Sequence, residues 1–194
     1  MALSERQYTA VNALGFQLAW PVCVLGGDAV AVATTLTLLL IHLSVIRRWQ
    51  TELLFLSSAG LLGFLFDLAL VRGGLLQIES AVQPIWMWCL WFIFAATLGY
   101  SLQWFRRHLG AGALFAGIFA PLSYSVGARL TDVDLMTPDW LTLLVIGAAW
   151  SLIFPALFLL RDALGKLSGE PLIENSSLPK VSAAKAWFRQ YEER

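Results

Sequence analysis

The sequence predicts an all-α polytopic membrane protein, a bundle of six transmembrane helices with both chain ends on the cytoplasmic side. Three observations predict it. Of the 194 residues, 58% are hydrophobic and only 13% charged, with a mean hydropathy of +0.70, too apolar for an ordinary soluble domain. The apolar residues fall into six runs, each close to the roughly 20 residues that cross a hydrocarbon layer as a helix. The basic residues then alternate between the loops. Arg6, Arg47, Arg48, Arg106, Arg107, Arg161, Lys166, Lys180, Lys185, Arg189 and Arg194 fall on one set of connections and the tail. Only Arg72 and Arg129 fall on the other, beside Asp132, Asp134 and Asp139. That asymmetry is the positive-inside pattern.

The runs are residues 9–26, 29–46, 53–71, 84–104, 109–130 and 140–160. Gly26-Gly27-Asp28 reads as a tight turn, which favours a hairpin of the first two runs over one long broken helix. Ala29-Val30-Ala31 imitates a signal-peptide cleavage site, but Glu5, Asn12 and Gln17 argue against cleavage. Trp86, Trp88 and Trp140 are expected at the outer interface, and Trp49 and Trp104 at the inner one. Residues 75–83 are too short and mixed to span and are expected along the outer surface. The domain reading is a bundle over residues 1–161, followed by a cytoplasmic linker and short amphipathic surface helix over 162–194. In that tail Val181, Ala184, Trp187, Phe188 and Tyr191 recur at helical spacing among Lys180, Lys185 and Arg189. The two halves of the bundle share no pattern beyond hydrophobicity, so an inverted-repeat transporter is not supported.

Ionisable groups inside spans are costly and invite a functional reading. Asp67 lies about one turn inside the outer end of the third run, and Arg129 lies at comparable depth in the fifth. Asp67 either serves a ligand or proton, or locks two helices by pairing with Arg129 or reaching water. Pro21, Pro121 and Pro155 free the carbonyls of Gln17, Gly117 and Ser151 from their helical bonds. Two readings follow: a polar chamber lined by Gln17, Ser101, Ser123, Tyr124 and Ser151, or hydrogen bonding that only joins helices. Asn12, more than a turn before Gln17, belongs with the same candidates. His42 is expected to bond a backbone carbonyl or a neighbouring helix. Gly112, Ala116, Ala120, Ser123 and Gly127 form a small-residue stripe that marks the fifth span as central. Cys23 and Cys89 lie at similar depth, where isolated buried cysteines behave as small hydrophobes. Zinc-ligand spacing, a Gly-rich phosphate loop and a nucleophile elbow are all missing. Neither metal nor cofactor is therefore expected, and no basic surface is left over for nucleic acid. No cluster of paired acids or His marks an intramembrane enzyme, and the sequence leaves open whether the protein is one.

Asn12 with Phe16-Gln17 and Trp20, Leu90-Trp91-Phe92 with Thr97-Leu98 and Ser101-Leu102-Gln103-Trp104, and Pro121-Leu122-Ser123-Tyr124 with Gly127-Ala128-Arg129-Leu130 resemble an uncharacterised family of small six-span bacterial inner-membrane proteins, a domain of unknown function. The resemblance covers nearly all the spans but not the tail. Gly99-Tyr100 stands where family members often carry Asn-His, which weakens a general base on the fourth span. Such proteins often lie beside genes for cyclopropane-synthase-like methyltransferases and flavin oxidoreductases. The resemblance thus implies a bacterial inner-membrane location, membrane lipid and lipid-modifying enzymes as partners, and a lipid-linked role by association only. The leading expectation is binding or presentation of a lipid or other hydrophobic metabolite to an acyl-chain-modifying pathway, with Asp67, Arg129, Gln17 and Tyr124 lining the pocket. A small-solute or ion transporter and a non-catalytic anchor for cytoplasmic enzymes are the alternatives.

Overall fold

Gly27 decides the path of the first forty residues. In the computed structural model, which describes residues 5–79 and 82–168, helix α1 (Glu5–Val45) is interrupted there by φ 71°, ψ −177°, a conformation open essentially to glycine alone. The chain reverses at this point. The Tyr8 hydroxyl and His42 Nδ1 are hydrogen-bonded at 2.7 Å although 34 residues apart, a separation of roughly 50 Å along a straight helix. The hairpin expected from Gly26-Gly27-Asp28 is therefore present, with limbs 5–26 and 28–45. Asp28 also caps the helix beside it, its Oδ1 accepting the Trp86 backbone N–H at 3.0 Å.

Helices α2 (Trp49–Arg72), α4 (Leu109–Leu130) and α5 (Asp139–Leu167) follow the third, fifth and sixth apolar runs. With α1 they are four helices long and apolar enough to cross a membrane. Mid-helix leucines such as Leu14, Leu18, Leu61, Leu152 and Leu159 are more than half exposed, as a lipid-facing surface requires. The fourth run departs from expectation. Helix α3 covers only Ile85–Leu98, about 21 Å of rise, where 84–104 reads as one span. Past its end Gly99 lies against the Arg161 guanidinium, with no room for a Cβ, and a 3-10 turn over Gln103–Arg107 follows. α3 is apolar on all sides because it is enclosed: most of its residues are buried, chiefly against α1 and α2. α3, and not α4, is the centre of the bundle.

Helix ends sort by contact. At one end Tyr8, His42, Glu52 and Arg161 are joined by hydrogen bonds, and Arg106 pairs with Asp162 at 3.0 Å. At the other, Asp28 meets Trp86, and strand β1 (Leu76–Gln77) pairs antiparallel with β2 (Asp134–Leu135). The elements thus run alternately up and down, and Glu5 and Leu167 lie at the same, basic end. Two expectations change here. Arg161 is a buried member of α5, 7% exposed, and not a loop residue. Trp86, expected at the interface, is buried as well. The amphipathic helix expected between Val181 and Tyr191 lies outside the described residues.

Candidate functional site

A cavity of about 550 Å³ opens on the flank of the bundle, between the first limb of α1 and α4. Its back wall is α3 and α5, where Leu90, Trp91, Phe94, Trp150 and Phe154 supply the surface. The mouth is recognisable because Gln17, Phe119, Leu122 and Val126 both line the cavity and are exposed. They lie well inside their helices, so the opening faces sideways. A hydrogen bond from Trp20 Nε1 to Ser123 Oγ at 3.0 Å bridges the two flanking helices.

The small-residue stripe explains part of this space. Ala116, Ala120, Ser123 and Gly127 line the cavity, so the short side chains leave a hollow and do not seat a neighbouring helix. Close approach of α4 to α5 is made one face away. An added Cβ on Gly147 would lie 2.7 Å from the Gly117 carbonyl oxygen, the group that Pro121 frees from its helical bond. The Ser151 hydroxyl turns back to the Gly147 carbonyl at 2.9 Å and does not reach the cavity.

Asp67 stands behind the wall near the acidic end, fully buried. Its Oδ2 accepts the Trp91 indole N–H at 2.7 Å and its Oδ1 accepts the Tyr124 hydroxyl at 2.5 Å. Both donors line the cavity, which places the carboxylate one hydrogen bond from its surface. Local sequence makes this arrangement available. Gly63, one turn before Asp67, lies directly under the Trp91 indole with no space for a side chain, and Trp91 in turn stacks on Trp150 with centroids 4.7 Å apart and planes 20° from parallel. Arg129 does not pair with Asp67; it is exposed near the end of α4, and among the described residues Asp67 has no cationic partner.

The remaining sequence candidates divide. Gln17, Ser101 and Tyr124 line the cavity. Asn12 is spent on structure: its Nδ2 donates to the Ala96 carbonyl at 3.1 Å and its Oδ1 accepts the Ser101 hydroxyl at 2.8 Å, tying the first limb to the end of α3. Cys23 and Cys89 are both buried and free.

The basic end carries a second polar cluster that sequence reasoning missed. Glu52, 1% exposed, accepts two hydrogen bonds from Arg161, at 2.9 and 2.7 Å, and a third from His42 Nε2 at 3.1 Å. The other ring nitrogen of His42, Nδ1, is hydrogen-bonded to the Tyr8 hydroxyl. Arg161 also lies over the Phe55 ring at 5.0 Å, and Tyr100 packs edge-on to both Tyr8 and His42. The available signal was an acid at the head of an apolar run, Glu52, at the same end as an arginine placed in a loop.

Among the described residues no group of three or more His, Cys, Asp or Glu side chains is placed to hold a metal ion. The arrangement is that of a membrane-embedded helical protein with a lateral, largely aromatic cavity. Residues 9–156 match the family described as Protein of unknown function (DUF2878), and the chain belongs to that family. Neither the curated proteins nor the solved structures contain a match.

Proposed function

We propose that this is a six-span protein of the bacterial inner membrane, with both termini cytoplasmic, that binds a lipid or another hydrophobic metabolite in its lateral cavity and presents it to an acyl-chain-modifying pathway. The observation that carries the reading is the cavity itself. Its volume falls within the roughly 300–1,000 Å³ usual for small-molecule sites, its wall is mainly aromatic, and its mouth opens between helices where acyl chains would surround it. Polar side chains are few: Gln17 at the mouth, Thr97 and Ser101 toward the basic end, and Ser123 with Tyr124, the latter backed by Asp67, toward the acidic end. An elongated apolar body with one polar head fits that distribution. A transport reading needs a polar path between the two ends. Along α2 the interval between Glu52 and Asp67 is instead filled by Phe55, Leu56 and Ala59, all fully buried.

The test is extraction and mass spectrometry of what copurifies with the protein in lipid nanodiscs, alongside membrane fatty-acid profiles of cells lacking it. Wild type is expected to retain an amphiphile that Ala120→Phe, which fills the cavity from α4, does not. Restoration of an altered fatty-acid profile by wild type, but not by Ala120→Phe at equal protein level, would support presentation to lipid chemistry. Identical extracts from both proteins and an unchanged profile would reject the reading.

A further inference from the structure

We infer that the cavity selects its ligand by head-group charge, taking an amphiphile with an ammonium head against the aromatic wall in front of Asp67. The inference rests on the binding reading above and adds the chemical class of the ligand. Four indoles, those of Trp20, Trp86, Trp91 and Trp150, line one cavity together with Tyr124 and Phe94. Indole faces carry the negative end of the ring quadrupole and are the best aromatic partners for a cation. The N–H edges of two of them are already committed, Trp20 to Ser123 and Trp91 to Asp67, so neither of these two offers a donor to a ligand.

Charge points the same way. None of the described residues lining the cavity is Lys, Arg or His, so among them a carboxylate or phosphate head would meet no counter-charge. Asp67 places a carboxylate directly behind Tyr124 and Trp91, and among the described residues nothing cationic balances it. Burial of a lone carboxylate is costly, and two neutral donors offset only part of that cost. An ammonium group at the wall supplies the missing partner across a short, water-poor distance, where Coulomb attraction is weakly screened. Arg72, five residues beyond Asp67 on α2, and Arg129, five beyond Tyr124 on α4, are both exposed.

The experiment uses the full chain in nanodiscs, with empty nanodiscs as the partition control, and reads indole fluorescence during titration. The probes share one chain and differ in the head: hexadecylamine, hexadecanol and palmitate, with phosphatidylethanolamine as a second source of ammonium. Hexadecylamine is expected to bind about tenfold more tightly than hexadecanol or palmitate. Asp67→Asn is expected to erase that advantage, so that on this variant hexadecylamine binds no more tightly than hexadecanol. The wild-type series needs no variant and decides the matter alone: hexadecanol or palmitate binding as tightly as the amine overturns the inference and leaves the binding reading standing. Saturable binding of none of the chains overturns both. A phosphatidylethanolamine that matches hexadecylamine supports a lipid head as the source of the ammonium; a binding amine beside a non-binding phosphatidylethanolamine supports a phosphate-free one.

Discussion

Replacing Glu52 by Leu removes a carboxylate on which three elements converge. In the wild type its two oxygens accept from Arg161 at 2.9 and 2.7 Å and from His42 at 3.1 Å, with Arg161 only 7% exposed. The variant leaves the guanidinium buried against Phe55 and Gly99 with its principal partner gone. Breaking a buried pair from one side costs about 3–5 kcal/mol, a large part of the roughly 5–15 kcal/mol that holds a typical domain folded. Arg161→Met should cost a comparable amount by stranding Glu52. The double variant removes both charges and should cost clearly less than the two singles added, with a coupling of at least ~2 kcal/mol. Denaturant titration of the four proteins in mixed micelles, followed by circular dichroism, measures the cycle. Single variants that lose less than ~1 kcal/mol, or singles that simply add, would refute the claim that this pair pins α2 to α5.

Gly27→Ala forces a side chain onto φ 71°, ψ −177° and is expected to cost about 1–3 kcal/mol in the same titration; no change would mean the hairpin does not depend on that backbone. Gly63→Ala drives a methyl into the Trp91 indole, so a loss of roughly 1–3 kcal/mol and a shifted tryptophan emission are expected. Tyr124→Phe removes one of two donors from buried Asp67, with an expected cost of ~1–3 kcal/mol, whereas Tyr124 packing alone would make the substitution nearly silent.

Much of the fold is legible in the sequence because the bilayer permits few solutions. α4 has the bounds 109–130 that its apolar run gives, and the glycine pair before Asp28 marks the reversal in α1. The fourth run is read too far: residues 99–104 are mixed in polarity, with Leu102 and Trp104 among Ser101 and Gln103, and α3 ends at Leu98, where Gly99 lies against Arg161 of α5. No local property of the run contains that contact. From the sequence alone Arg161 reads as a loop residue, because charge at the end of an apolar run ordinarily marks a boundary. Here Glu52, 109 residues away in the chain, supplies the counter-charge that keeps Arg161 inside. Asp67 and Tyr124 were identifiable one by one as polar groups within spans, but their direct bond, and the replacement of Arg129 by Trp91 as second partner, depend on how α2, α3 and α4 meet. The stripe on α4 carries the clearest ambiguity: small residues read equally as a packing face and as the wall of a hollow, and the cavity shows that Ala116, Ala120, Ser123 and Gly127 are the second.

The claim that an amphiphile occupies the lateral cavity is tested most directly by photolabelling in nanodiscs with a long-chain diazirine amphiphile, followed by peptide mapping. The account predicts adducts on the cavity wall, at Leu90, Phe94, Phe115 and Phe119, and their loss in Ala120→Phe. Adducts confined to lipid-facing positions such as Leu61, Leu152 and Leu159, unchanged by that substitution, would contradict it.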